Sequence, residues 1–152
     1  MEDIRIIITG FPKTGKITLA NQLGRKYNVP IKSTDSLVDR SWSDMSCEIA
    51  NWINEPAPWI IEGNAVVRGL RKWLKLNPEK RLDGVSIFLM THTNSLYSSG
   101  QMALAKAIRT IWEQIRMDLA DRGARISTTK IVLDSSLTQK PVDAEKKRRY
   151  RV

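Results

Sequence analysis

Residues 4–18 run Ile4-Arg5-Ile6-Ile7-Ile8-Thr9-Gly10-Phe11-Pro12-Lys13-Thr14-Gly15-Lys16-Ile17-Thr18. Isoleucines on both side-chain parities suit a strand buried on both faces, as at the centre of a parallel sheet. That run stops at Gly10. Gly10 to Lys16 fits the pattern G-x-x-x-x-G-K, and Leu19, Ala20, Leu23 and Tyr27 then recur at helical spacing. Strand, glycine loop and helix follow in the order that a phosphate cradle needs. Glycines let the backbone wrap closely so that successive N–H groups point inward. A helix opening near Gly15 adds its partial positive charge at the same place. Lys16 supplies a full charge for β- and γ-phosphate oxygens. The expected nucleotide-binding residues are therefore Gly10, Phe11, Pro12, Lys13, Thr14, Gly15, Lys16, Ile17 and Thr18.

Strands and helices continue to alternate downstream. The first helix ends near Asn28, and residues 29–34 read as a second strand leading into Ser33-Thr34-Asp35-Ser36. Met45, Ile49, Trp52 and Ile53 form a helical stripe stopped by Asn54-Glu55-Pro56. Residues 58–63 read as a third strand ending in an acid and a glycine. A helix over 65–76 has Val66, Leu70, Trp73 and Leu74 on its apolar side and Arg68, Arg71, Lys72 and Lys75 on its basic side. Residues 85–90 read as a fourth strand. The longest helix is expected over 98–122, with Leu104, Ile108, Ile111, Ile115 and Leu119 on one face and Gly123 as its cap. A fifth strand falls somewhere within 124–133. The alternation implies right-handed βαβ units, hence a three-layer αβα fold with a five-stranded parallel sheet.

Ligands of such sheets sit beyond the carboxyl ends of the strands. That rule gathers Lys16, Asp35, Glu62 and the start of the third helix into one crevice. Asp35 suits two jobs equally: to bind or deprotonate an acceptor hydroxyl, or to N-cap a short helix at Ser36. Glu62 stands where an acid holds Mg²⁺ through water or orients a nucleophile, the other use being to start the helix near Asn64. Arg68 lies one turn into that helix and suits an acceptor phosphate, the remaining cations being its solvated face. Lys16, Asp35, Glu62 and Arg68 are thus the expected catalytic set. Arg109 and Arg116 are placed to screen a transferred phosphoryl group if they belong to a closing lid. His92 reads as a loop residue after the fourth strand, and Trp42, in a loop past Asp35, as a surface for stacking on a base.

A chain of 152 residues is one domain's worth, and 41% hydrophobic with 27% charged residues is ordinary for a globular fold. No run approaches the roughly 20 apolar residues of a membrane span, and Met1-Glu2-Asp3 leading into a strand does not read as a signal peptide. Cys47 is the one cysteine, so no intrachain disulfide forms and a reducing cytoplasm is the expected home. It reads as an inert, half-buried helical thiol. The net charge of +9 is uneven: residues 145–151 carry five cations and one anion, leaving +5 elsewhere. That balance suits an anionic substrate. The expected division is a domain over 1–140 and a basic, solvated tail over 141–152, through which contact with nucleic acid is conceivable.

Gly10, Pro12, Gly15, Lys16 and Thr18 together resemble the form G-x-P-x-x-G-K-x-T of adenylate kinase-like nucleotide kinases in the P-loop NTPase superfamily. Further blocks resemble small phage-type P-loop kinase-like proteins: Gly15 to Ala20 (GKxTLA), Ser33 to Leu37 (STDSL), Trp59 to Lys72 (WIIEGNAVVRGLRK) and Gly100 through Trp112 to Gly123. The resemblance implies an ATP-dependent phosphotransferase fold with strand order 2-3-1-4-5, ATP and Mg²⁺, and a host cytoplasm if phage-encoded. It names no substrate. The family usually has Ser or Thr where this chain has Ile17, which offers no oxygen to a metal. In adenylate kinase-like enzymes the metal is held largely by water and substrate phosphates, so Thr18 and Glu62 are the metal candidates, acting through water. Three readings follow. The chain is a kinase moving the ATP γ-phosphoryl group to a small acceptor such as a nucleotide or nucleoside, a non-catalytic nucleotide-binding module, or a kinase of nucleic-acid ends.

Overall fold

The computed structural model describes residues 3–92 and 97–131. Within them the chain forms β1 (Arg5–Gly10), α1 (Lys16–Tyr27), β2 (Ile31–Ser33), a 3₁₀ turn (Thr34–Leu37), α2 (Trp42–Ile53) and β3 (Trp59–Glu62). It continues through α3 (Val66–Leu76), β4 (Ser86–His92), α4 (Ser99–Asp121) and β5 (Arg125–Ile131). The strands make one sheet ordered β2-β3-β1-β4-β5, parallel throughout. In the middle of it Ile7 lies beside Ile61 on one side and Ile87 on the other.

Alternation along β1 divides the core. Ile7 packs with Trp59, Ile61 and Ile87 beneath Ile49 of α2, Leu70 of α3 and Ile108 of α4. Ile6 and Ile8 point the other way and pack with Ile60 and Met90 beneath Ala20 of α1. The sheet is therefore a middle layer, with α2, α3 and α4 on one face and α1 on the other. Each fully buried isoleucine contributes about 1.5–3 kcal/mol, so exchanging the inward parities of β1 is heavily penalised.

Element ends follow local chemistry. The second strand is shorter than the sequence led us to expect. Asn28 closes α1 in a left-handed conformation (φ 58°), Pro30 has no N–H for a ladder, and Thr34 already belongs to the turn. The third strand likewise begins only after Pro58. Ser41 caps α2 by accepting the Asp44 N–H, which makes Trp42 the first residue of that helix rather than a loop residue. Ser98 and Gln101 form a reciprocal capping box at the start of α4, and Gly123 follows its last turn at φ 99°.

Two smaller expectations are corrected: Cys47 is exposed on α2, and His92 is the last residue of β4. The proposed boundary near residue 140 and the tail over 141–152 lie outside the described residues. Among those described, no helix is long and apolar enough to cross a membrane.

Candidate nucleotide and acceptor site

The connection from β1 to α1 is built as a cradle. The Phe11 N–H donates to the Met90 carbonyl at 2.8 Å, tying the start of the loop to β4. Lys13 (φ 60°) and Gly15 (φ 82°) both turn through the left-handed region. A Cβ on Gly15 would meet nothing within 4 Å, so glycine is needed there for its backbone conformation and not for space. The first turn of α1 has no side-chain cap and no acidic residue. Its leading N–H groups therefore face the loop without an acceptor among the described residues, which is the condition for seating an anion.

Lys16 is only 7% exposed. Its ammonium donates to the Phe11 carbonyl and, at 3.4 Å, to Thr14 Oγ1, which itself donates to the Phe11 carbonyl at 2.9 Å. Burial lowers the Lys16 pKa to about 8, and the nearby negative charges of Glu62 and Asp35 limit the drop. The three sequence-distant residues expected in the crevice are thus within electrostatic reach of one another.

Glu62 ends β3 and is 6% exposed. Burial raises its pKa, opposed by the hydrogen bond from Ser33 and by the Lys16 charge. The Ser33 hydroxyl donates to Glu62 Oε1 at 2.9 Å and accepts the Asp35 N–H at 3.2 Å. Ser33, not Asp35, is therefore the cap of the 3₁₀ turn, and the Asp35 side chain stays at an exposed position on it. The helix-starting alternative for Glu62 also falls away, because α3 begins at Val66 with no acid in its first turn. Gly63 makes the close fit possible. A Cβ there would lie 1.9 Å from Thr34 Oγ1, at a φ of 147° that L-residues rarely adopt.

Beside this cluster is a cavity of about 150 Å³ between the 3₁₀ turn, α3 and α4, whose walls include Asp35, Asn64, Arg68 and Ile108. The Arg68 guanidinium stacks 4.5 Å over the Trp42 ring at its edge. Asn64 Oδ1 is buried and accepts no hydrogen bond from any described residue. A buried acceptor without a donor is costly, and the residue that carries it is one of those lining the cavity.

The remaining expected residues lie elsewhere. Arg109 and Arg116 stand on the continuous helix α4, not on a separate closing segment. They border a second cavity of about 290 Å³ behind Phe11. There Arg109 sits 5.1 Å over the Phe11 ring and Arg116 pairs with Glu113 at 2.9 Å. Thr18 is exposed on the first turn of α1, about 200° around the axis from Lys16 at 100° per residue. Ile17 is 47% exposed.

The donor set fits a polyphosphate well: open amides, an ammonium and no acid in the first turn of α1. For Mg²⁺ it offers less, since Ile17 has no oxygen and no cluster of three metal-ligating side chains exists among the described residues. Glu62 is the one carboxylate at a strand end close to Lys16. The fit is to an ion arriving on the nucleotide and reaching the protein through water.

Sequence reasoning missed Ser33, Asn64 and Tyr97. The first two adjoin residues that were singled out, so their neighbourhood was visible. Tyr97, which donates to the Pro12 carbonyl at 2.6 Å, is 85 positions away from its partner and gave no local sign.

A parallel sheet ordered β2-β3-β1-β4-β5, with a glycine loop and lysine between its central strand and α1, is the three-layer P-loop fold. No family model and no curated protein sequence matches this chain. Among solved structures, a shikimate kinase from Bacteroides thetaiotaomicron is similar at 15% identity and a TM-score of 0.44, over 83% of this chain and 86% of its own. A gluconokinase from Sinorhizobium meliloti 1021 is similar at 13% identity and a TM-score of 0.46, over 86% and 83% respectively. Both likenesses are loose, and the fold is defined by this chain's own strand order and loop.

Proposed function

We propose that this protein is an ATP-dependent phosphotransferase that moves the γ-phosphoryl group to a small acceptor, a nucleoside or nucleotide. What supports the reading is one observation above the others. A buried lysine at an open helix N-terminus lies within electrostatic reach of two acids, Glu62 at the end of β3 and Asp35 on the turn after β2, and Asp35 lines a sugar-sized cavity.

In this reading the loop amides and Lys16 hold the triphosphate and neutralise charge as it moves to the leaving group. Glu62 would hold, through water, a Mg²⁺ ion arriving on the nucleotide, and that ion would supply further charge neutralisation at the phosphates. Arg68 and Asn64 hold the acceptor, and the Asp35 carboxylate takes the proton from its attacking hydroxyl. Because phosphoryl transfer is governed by positioning and electrostatics, these few groups suffice.

The rival reading, a module that binds nucleotide without turnover, draws on Ile17 in place of a metal-binding hydroxyl. Labelled phosphate transfer to a panel of nucleosides and nucleoside monophosphates, with Lys16→Ala as control, separates the two. Transfer that disappears in the control supports the enzyme. ATP binding without transfer to any acceptor supports the module.

A further inference from the structure

The basic side of α3 is more than a solvated face. Arg68, Arg71, Lys72 and Lys75 follow the spacing i, i+3, i+4, i+7 that places side chains in one row along a helix. They form one wall of a groove of about 240 Å³ between α3 and α2. The row spans about 10 Å of axis at 1.5 Å per residue, the axial run of about three stacked nucleotides. None of the four is in an ion pair with a carboxylate among the described residues. On the opposite wall α2 contributes Ser43 and Ser46.

Trp42 and Arg68 line both this groove and the acceptor cavity, so the two spaces meet at their stacked pair. Trp42 is 54% exposed, a large aromatic face held in place at the junction. A row of cations leading to an exposed aromatic ring is the arrangement that binds single-stranded nucleic acid, phosphates along the charges and a base on the ring. A duplex suits it poorly, because the cavity beyond Trp42 has room for a sugar and not for a base pair.

We infer that the acceptor is the terminal sugar hydroxyl of a single-stranded nucleic acid, whose next few phosphates lie in the α2–α3 groove. This rests on the kinase reading above and narrows its acceptor to a nucleotide at the end of a strand, in place of a free one. The terminal oxygen forms a bond to the γ-phosphorus of ATP, and the bond from that phosphorus to the bridging oxygen breaks. ADP leaves with the electron pair, and the hydroxyl proton passes to Asp35.

The test uses the full chain, tail included, and an eight-residue oligothymidylate with both terminal hydroxyls free. Binding is read by fluorescence anisotropy without ATP across a salt series, and transfer is read with labelled ATP against thymidine as the short acceptor. In K72E/K75E, oligonucleotide affinity is expected to fall more than tenfold, with the salt slope reduced by about 1.4 at ~0.7 per phosphate contact. The charge-conserving K72R/K75R is expected to bind as wild type does, which separates lost charge from lost fold. Wild type is expected to favour the octamer over thymidine in kcat/KM, and K72E/K75E to lose that preference. Unchanged affinity and salt slope in K72E/K75E would overturn the groove and leave binding to the tail. Equal use of thymidine and octamer by wild type would overturn the strand as acceptor. If wild type transfers phosphate to nothing, the kinase reading and the acceptor fall together, while the anisotropy series still decides the groove.

Discussion

The hydroxyl of Ser33 donates to Oε1 of Glu62 across 2.9 Å, and its oxygen also accepts the N–H that begins the turn carrying Asp35. One small side chain thus sets both acids of the crevice relative to Lys16. Ser33→Ala removes a cap and a charge-assisted bond together. Losing the cap costs about 1 kcal/mol of stability, measurable by urea denaturation. Glu62 loses a group that lowers its pKa, so its pKa rises further. If ionised Glu62 is required, the acid limb of the pH–rate profile moves to higher pH. A stability loss with an unmoved acid limb would show that Ser33 only holds the turn.

Burial of Lys16 has a thermodynamic consequence of its own. With a folded pKa of about 8 against 10.5 when exposed, the unfolded chain binds more protons between those values. Stability therefore rises with pH across that window and is at its lowest contribution below it. The penalty near pH 7 is about 3 kcal/mol at 1.36 kcal/mol per unit, partly offset by the hydrogen bonds to the loop. Lys16→Met should stabilise the free protein by about 1–2 kcal/mol and flatten the rise between pH 8 and 10.5, while ATP affinity collapses. In wild type, ATP affinity should weaken above about pH 8 as the free protein's ammonium titrates, which calorimetry over pH 7–9.5 would read.

These two residues also mark how far sequence reading reached. Lys16 was legible because its role follows from a local pattern: a strand, a left-handed glycine and a helix within about a dozen residues. Asp35 and Glu62 needed one further step, the rule that ligands of parallel sheets gather at carboxyl ends. Ser33 was invisible as a link because its bond to Glu62 spans 29 positions across a strand pair. The groove was hidden for a similar reason. Helical periodicity showed that Arg71, Lys72 and Lys75 share a face, but only the packing of α2 beside α3 shows what that face borders.

Ile17 tests how the metal is handled. It is half exposed at the second position of α1, so Ile17→Thr should change stability by less than about 0.5 kcal/mol. If the missing hydroxyl is all that separates this loop from direct coordination, Mg²⁺ should tighten ADP binding in the variant by about tenfold more than in wild type, equivalent to 1.4 kcal/mol. An equal Mg²⁺ effect in both proteins would mean that phosphates and water already complete the ion's shell.

Tyr97 supports the cradle from the other side. Its phenol donates to the Pro12 carbonyl at 2.6 Å from the segment just before α4. Burial raises its pKa to about 12, so it remains a protonated donor throughout the pH range in which the loop works. Tyr97→Phe keeps the ring, which packs on the core, and removes the oxygen. The expected stability cost is about 1 kcal/mol. The informative readout is kinetic, because a loop released at Pro12 must be ordered again by each nucleotide that binds. That ordering cost appears as a higher KM for ATP at nearly constant kcat. A variant with a lower melting temperature and an unchanged KM would instead place Tyr97 in the scaffold, with no part in holding the loop for ATP.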